Sequence, residues 1–499
     1  MALGFAGEVV AKPNVVIGYY PSWKKQYMSS VDFTKYTHIN LSFGIPTASG
    51  TFTYEGDWFE PQVVTEMHSK GVKVLLSVGG WTGSNLFSTI LKNPSARTTL
   101  INSMANHVRD FSLDGIDIDW EYPGRLGNNC NVVDAANDTP NFLKFLQDLR
   151  AQFDSTFGTR QKLINLAVRV QPFDINGSPA TDVSAFAKVV DYANLMQYDI
   201  NGGWNPQTGP NAPFNYENGK GMQVSFVSAI DAWTGAGWPA NQLTAGIGFY
   251  GRSTIASVDM TKDPNNQYQN QTSTVPLGDS EDGAWWDSCA GSGGYSGVWQ
   301  WKNLRSQGVL TSPTTAAAPW VRKFDPISQT PWLFNPTTKQ FISYDDPQSI
   351  KVKVDYAASK GLAGAMIWSV NQDSASGELM AAVQAWPGNG GGSTTTTSAP
   401  PVTSTTKPAT SSAPGSTTAP GTTTAPATTS APATTSTSGG GPVAGGPCSS
   451  QGAYQCADNT GKNANYFICN NNVWLQQACG SGTACFQSGA NIVCNWPSA

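Results

Sequence analysis

Asp114-Gly-Ile-Asp117-Ile-Asp119-Trp-Glu121-Tyr-Pro123 is the densest acidic stretch in the chain, and its alternation governs the reading of the fold. Side chains along a strand point to opposite faces in turn. Asp117, Asp119 and Glu121 therefore share one face, and Ile116, Ile118 and Trp120 the other. Similar short runs recur on both sides: Val15–Tyr20, His38–Phe43, Val72–Val78, Ile164–Ala167, Ala193–Met196, Thr244–Gly248 and Gly364–Trp368. Most are continuously apolar, as parallel strands covered on both faces require. Between them the apolar period changes to 3.6. Leu100, Ile101, Met104, Val108 and Phe111 form one stripe, and Phe142, Leu146, Leu149 and Phe153 another. Eight strand–helix units predict an α/β fold of the (β/α)8 TIM-barrel type, with its chemistry at the C-terminal ends of the strands. In such a barrel Ile116, Ile118 and Trp120 pack on the helices, so the acids line the interior. About 115 residues separate the seventh run from the eighth, too many for one crossover helix, and an extra subdomain is expected over about 252–343.

Neighbouring carboxyls in the acid row stand about 6.6 Å apart along the strand, within coupling range. Three crowded carboxyls do not all ionise at neutral pH, so at least one holds a proton. Glu121, nearest the C-terminal rim, is best placed to deliver it. A buried acid row without a task is costly. Asp114 has the other parity and reads as scaffolding. A divalent cation is the rival occupant, but the only histidines, His38, His68 and His107, lie away from the row. No metal and no cofactor is expected.

The remaining composition narrows the class. The 499 residues are 39% hydrophobic and only 13% charged, with a formal net charge of −5, which argues against a nucleic-acid partner. No apolar run reaches the 18 residues of a membrane span, and the terminal Asn-Trp-Pro-Ser-Ala has no hydrophobic anchor tail. Met1–Gly7 holds a short apolar patch without the basic start and full core of a secretion signal.

Three segments emerge: 13–387, the barrel; 388–447; and 448–499. The middle one carries 27 Ser or Thr in 60 positions, one charge (Lys407) and a proline every six residues from Pro408 to Pro432. It reads as a disordered, O-glycosylated tether. The last holds Cys448, Cys456, Cys469, Cys479, Cys485 and Cys494 in 52 residues with no His and no C-x2-C pair, so three disulfides are expected rather than zinc. The pairing is left open, as is whether Cys130 and Cys289 join. Tyr454, Tyr466, Phe467, Trp474, Phe486 and Trp496 suit stacking on an uncharged sugar ring, although a small core would use at least half of them.

The acid row matches the D-x-x-D-x-D-x-E signature of family-18 glycoside hydrolases, the retaining chitinases and their relatives. Gly18-Tyr-Tyr-Pro-Ser-Trp23, Ser77-Val-Gly-Gly80-Trp81, Met196-Gln-Tyr198-Asp199, Tyr250-Gly-Arg252 and Gly364-Ala-Met366-Ile-Trp368 resemble further segments of that family, in order along the whole barrel. Asn371 departs, standing where many relatives have an acid.

The resemblance implies a substrate-assisted reaction, an exception to the two-carboxylate scheme. Glu121 would be the acid, Asp119 would hold the substrate's acetamido group, and Asp117 would tune Asp119. Tyr198 would bind the same group, with Asp199 beside it. Trp368 would floor the reacting subsite, and Tyr19, Trp23, Phe43, Trp81, Met196, Trp204, Tyr250 and Arg252 would line the cleft. The segment from Tyr250 to about Tyr344 resembles an α+β insertion that walls the cleft, and the tail resembles the cysteine-rich chitin-binding modules of fungal chitinases. The implied protein is a secreted, monomeric chitinase acting on chitin and chito-oligosaccharides. The alternatives are an endo-β-N-acetylglucosaminidase cutting N-glycans and a non-catalytic chitin-binding lectin.

Overall fold

A computed structural model describes residues 15–289 and 291–387, and near the C-terminus 446–448, 454–457, 463, 465–470, 473–478, 484–488 and 491–495. The expectations for Met1–Gly7, for the tether up to residue 445 and for Cys479 lie outside the described residues. The described residues fall into two compact units, one ending with the barrel and one formed by the tail.

Eight parallel strands close on themselves: β1 (Val15–Pro21), β2 (His38–Pro46), β3 (Lys73–Gly79), β4 (Gly115–Asp119), β5 (Leu163–Val168), β6 (Tyr192–Leu195), β7 (Leu243–Gly248) and β8 (Gly364–Trp368). Each pairs with its sequence neighbour, and β8 pairs with β1 through Val15↔Gly364 to Gly18↔Ile367. This is the expected TIM barrel. Alternation along β4 acts as anticipated. Ile116, Ile118 and Trp120 are buried against Leu100, Met104 and Val108 of helix α1 (Pro94–Asp110) and Phe142, Leu146 and Leu149 of α2 (Asp138–Phe157). Asn93 caps α1, its side-chain oxygen accepting from Ser95 N at 3.0 Å, and Pro94 fills the first helical position.

The interior is polar where most barrels are aliphatic. Asn40, Ser42, Ser77, Asp117, Asn165, Asn194 and Thr244 are all fully buried there, beside Ile17, Tyr19 and Met366. One expectation fails: not every strand is followed by a helix. Ser22–Ser30 after β1 forms 3-10 turns, and β5 is followed only by the single turn Ser184–Ala187. Ser22–Ser30 buries only Ser22 and Met28, so it has no stripe that a helix could pack inward.

The insertion between β7 and β8 is present. Its five antiparallel strands lie in the order 298–300, 250–255, 340–343, 331–335, 321–324. Its first strand begins at Tyr250, two residues beyond β7, slightly earlier than expected. A two-stranded hairpin, Trp285–Asp287 with Ser292–Gly294, projects from it, and Cys289 bonds Cys130 in the loop after β4. In the tail, Tyr454–Cys456, Asn465–Asn470 and Val473–Ala478 form one sheet, and Ala484–Ser488 pairs with Asn491–Asn495. Cys448–Cys469 and Cys456–Cys485 join there. A third bridge on Cys479 and Cys494 would involve residue 479, outside the described residues.

Candidate active site

The acid row begins at the bottom of the cleft with Asp117, which is fully buried on β4. Its Oδ2 accepts from the Tyr19 hydroxyl at 2.9 Å and the Ser77 hydroxyl at 2.6 Å, and its Oδ1 from Asn194 Nδ2 at 3.2 Å. Asn194 is in turn held by the Thr244 hydroxyl, at 2.7 Å from its Oδ1. Burial lifts the Asp117 carboxyl to about 6, against the downward pull of those three donors.

Asp119, one step up, is buried too, and its Oδ1 has no hydrogen-bond partner. Burial first, then the Glu121 and Asp117 charges, push it well above the carboxylate range. Glu121 is only partly covered at the rim. Loss of water around it raises its carboxyl to about 7, with Asp199 adding to the rise and the Tyr122 hydroxyl opposing it. Its backbone is clamped: its N–H donates to Ser84 Oγ at 2.9 Å, and its carbonyl accepts from Asn131 Nδ2 at 2.6 Å. The Ser84 hydroxyl donates to the carbonyls of Gly80 and Asp119, at 2.8 and 3.1 Å.

Tyr198, just past β6, is buried with its hydroxyl 3.6 Å from Met366 Sδ, and burial and the Asp119 charge raise its pKa strongly. Met196 packs in the same cluster. Asp199 takes a left-handed backbone, φ 57°. Its Oδ1 accepts from Tyr250 OH at 2.5 Å and Arg252 Nε at 2.6 Å, both from the insertion's first strand. The Arg252 guanidinium lies over Trp204, 5.1 Å from the ring centroid.

The aromatic residues expected in the cleft fall into two sets. Trp23, Phe43, Trp368 and Tyr19 form a continuous file, with centroids 6.0, 5.7 and 5.6 Å apart, and Phe43 stacks on Trp368 at 15°. Trp23, Trp81 and Trp204 are 48, 46 and 56% exposed, too open for barrel core. Asp114 is scaffolding: its Oδ2 accepts from Val74 N and sits 2.8 Å from His68 Nε2.

Sequence reasoning passed over Asn194, Tyr122 and Ser84, which hold Asp117, Glu121 and the Glu121 backbone. Asn194 carried a signal, as an amide within an otherwise apolar strand. Ser84 and Tyr122 carried none, because their roles depend on how the loops fold back.

Residues 15–373 match the sequence pattern of "Glycosyl hydrolases family 18", and residues 423–490 that of "Carbohydrate binding domain (family 19)". A "chitinase-like effector" of Moniliophthora roreri is 35% identical over 387 residues, covering 74% of this chain and 90% of that protein. "Chitinase A1" of Niallia circulans is 28% identical over 72% of this chain and 56% of its own length. Among solved structures, a chitinase of Rhizomucor miehei superposes with a TM-score of 0.68 at 34% identity, covering 74% of this chain and 99% of that one. The barrel, its acid row and these matches agree: the chain belongs to glycosyl hydrolase family 18.

Proposed function

We propose that the protein is a secreted chitinase that hydrolyses β-1,4-linked N-acetylglucosamine with retention of configuration, through a substrate-assisted mechanism. The observation that carries this reading is Glu121 at the rim, one step above Asp119 on the same strand face, its carboxyl raised to about 7 by burial while the Asp119 Oδ1 is buried and unpartnered. Asp199, the other carboxylate at the mouth, is taken up by Arg252 and Tyr250. A protein nucleophile across the ring is therefore not supplied by Asp199, whereas the substrate's own N-acetyl oxygen can serve.

In this mechanism the Glu121 proton passes to the glycosidic oxygen as the bond to C1 breaks. The acetamido carbonyl oxygen closes on C1 to give an oxazolinium, whose N–H faces Asp119 and whose charge that carboxylate balances. Asp119 is best served by a proton shared with Asp117, which its raised pKa favours. Tyr198 holds the acetamido group, and Trp368 backs the sugar ring. Water then attacks C1 from the vacated side and gives its proton to Glu121, restoring the acid.

Two observations support secretion and substrate. Disulfides Cys130–Cys289, Cys448–Cys469 and Cys456–Cys485 belong to an oxidising compartment. The carbohydrate-binding match of the tail suits a solid polysaccharide. The name "chitinase-like effector" on a 35%-identical relative favours a second reading, a sugar-binding chain without turnover. The complete acid row of Asp117, Asp119 and Glu121, with Tyr198 facing it, speaks for turnover.

The deciding experiment follows the anomer first released from a chito-oligosaccharide. A β-anomer, with strong inhibition by a thiazoline mimic of the oxazolinium, is expected. An α-anomer would overturn the mechanism, and absence of products would favour the sugar-binding reading.

A further inference from the structure

The insertion hairpin is not used by the chemistry above, yet it is unusually built. Trp285 and Trp286 are 49 and 67% exposed, and Tyr295, just past the second strand, is 42% exposed. The nearby insertion aromatics Trp299 and Trp301 are buried, so this exposure is local to the hairpin. Opposite the two tryptophans stand Gly294 and Gly293. A Cβ at Gly293 would come within 3.1 Å of the Trp286 ring, so that indole lies over bare backbone with its outer face open.

Both ends of the hairpin are fixed. At its base, Asp282 accepts from Gly278 N (2.7 Å), Gly297 N (3.0 Å) and Ser296 Oγ (2.7 Å). Glu281 pairs with Lys302 at 2.8 Å and with Lys24 at 3.1 Å, and Lys24 directly follows the cleft residue Trp23. At its tip, Cys289 is bonded to Cys130, whose neighbour Asn131 donates to the Glu121 carbonyl. The hairpin thus reaches from the side of the barrel mouth that carries Trp23 to the loop that seats Glu121. Two exposed indoles held rigidly in that position lose little conformational freedom on contact with a ligand. They also carry no charge to attract an ionic partner.

We propose that Trp285 and Trp286 form an additional carbohydrate subsite, which stacks on pyranose rings of a β-linked N-acetylglucosamine chain extending beyond the central cleft. This rests on the function proposed above. The subsite favours long chains over short ones, and the Cys130–Cys289 bridge keeps it in register with the acid.

The test uses the full chain and compares kcat/KM on the chito-trisaccharide with that on the octasaccharide. Trp285→Ala/Trp286→Ala is expected to lower the octamer-to-trimer ratio about tenfold, equivalent to about 1.4 kcal/mol of lost stacking. Trp285→Phe/Trp286→Phe keeps aromatic faces and is expected to restore most of the ratio, which a merely structural role would not require. In Glu121→Gln, octamer binding followed by tryptophan fluorescence should weaken to the same extent when the two alanines are added. A ratio unchanged by the alanine pair in a folded enzyme overturns the subsite. An unmutated chain that cleaves neither oligomer overturns the function reading instead, so the two failures are distinguishable.

Discussion

In the proposed mechanism Asp119 and Glu121 share one barrel mouth under opposite demands: one must balance a positive charge, and the other must arrive protonated. Their surroundings accommodate both, because burial raises each and neither can ionise without opposing the other. Glu121→Gln should cut turnover by about 10²–10⁴-fold while oligosaccharide binding persists, as measured by steady-state kinetics and titration calorimetry. Asp119→Asn should also slow N-acetylated substrates severely. The rate should fall as pH rises through about 7, where Glu121 loses its proton. Stability carries the same sign. The folded value of Glu121, about 7, stands above the ordinary 4.5, so its contribution is complete below 4.5 and is lost as pH rises toward 7. Thermal melts should therefore show Glu121→Gln gaining on the unmutated protein between pH 4.5 and 8. The acid row was legible in sequence because period-two alternation fixes its parity. Serine and asparagine partners such as Ser84 and Asn131 were not, since their hydrogen bonds join residues 37 and 10 positions apart through irregular loops.

Elements hold this geometry through close backbone contacts. Gly79 ends β3 at φ 116°, and a Cβ there would fall 2.1 Å from the Asp119 carbonyl oxygen. Gly79→Ala should cost about 3 kcal/mol, from backbone strain and from pushing β3 off β4, and should lower kcat together with the melting temperature. Helix α3 (Pro347–Ser359) returns the chain from the insertion to β8, and it buries Lys353 against Asp345 with both Nζ–Oδ distances at 2.7 Å. Lys353→Met strands a buried carboxylate and should cost about 3–5 kcal/mol in denaturant unfolding. Lys353→Met/Asp345→Leu should recover most of that loss. All eight strands were visible, most as apolar runs and β4 by its alternating acids, with ends within three residues of those observed. The 3-10 turns after β1 and the single helical turn after β5 were not, because the barrel's repeat predicts a full helix at each place and Ser22–Ser30 carries no apolar stripe to support one.

At the scale of the whole molecule, 60 residues of Ser/Thr/Pro-rich sequence lie between the barrel and the tail. A chain ending at Trp386 keeps β1 to β8 and every cleft residue. It should cleave soluble oligomers at the full rate but bind crystalline chitin less, as measured by pull-down and product release, because the tail's contribution is one of local concentration. Equal binding of the shortened chain to chitin particles would remove that role. Compositional shifts made the three segments plain, and cysteine count made the tail's character plain. Pairings such as Cys130–Cys289, 159 positions apart in sequence, follow only from the folded arrangement.

The two ends of the insertion lie side by side: Arg252 pairs with Ser343 in one sheet, and β7 already pairs with β8 from Thr244↔Gly364 to Gly248↔Trp368. The barrel closes without regard to what hangs between those strands, and loop length alone costs little. Such an insertion is a cassette. It can be lengthened, shortened or exchanged between related barrels by a single genetic event, provided Tyr250 and Arg252 still reach Asp199, so the width of the groove can diverge between lineages while the acid row stays as it is.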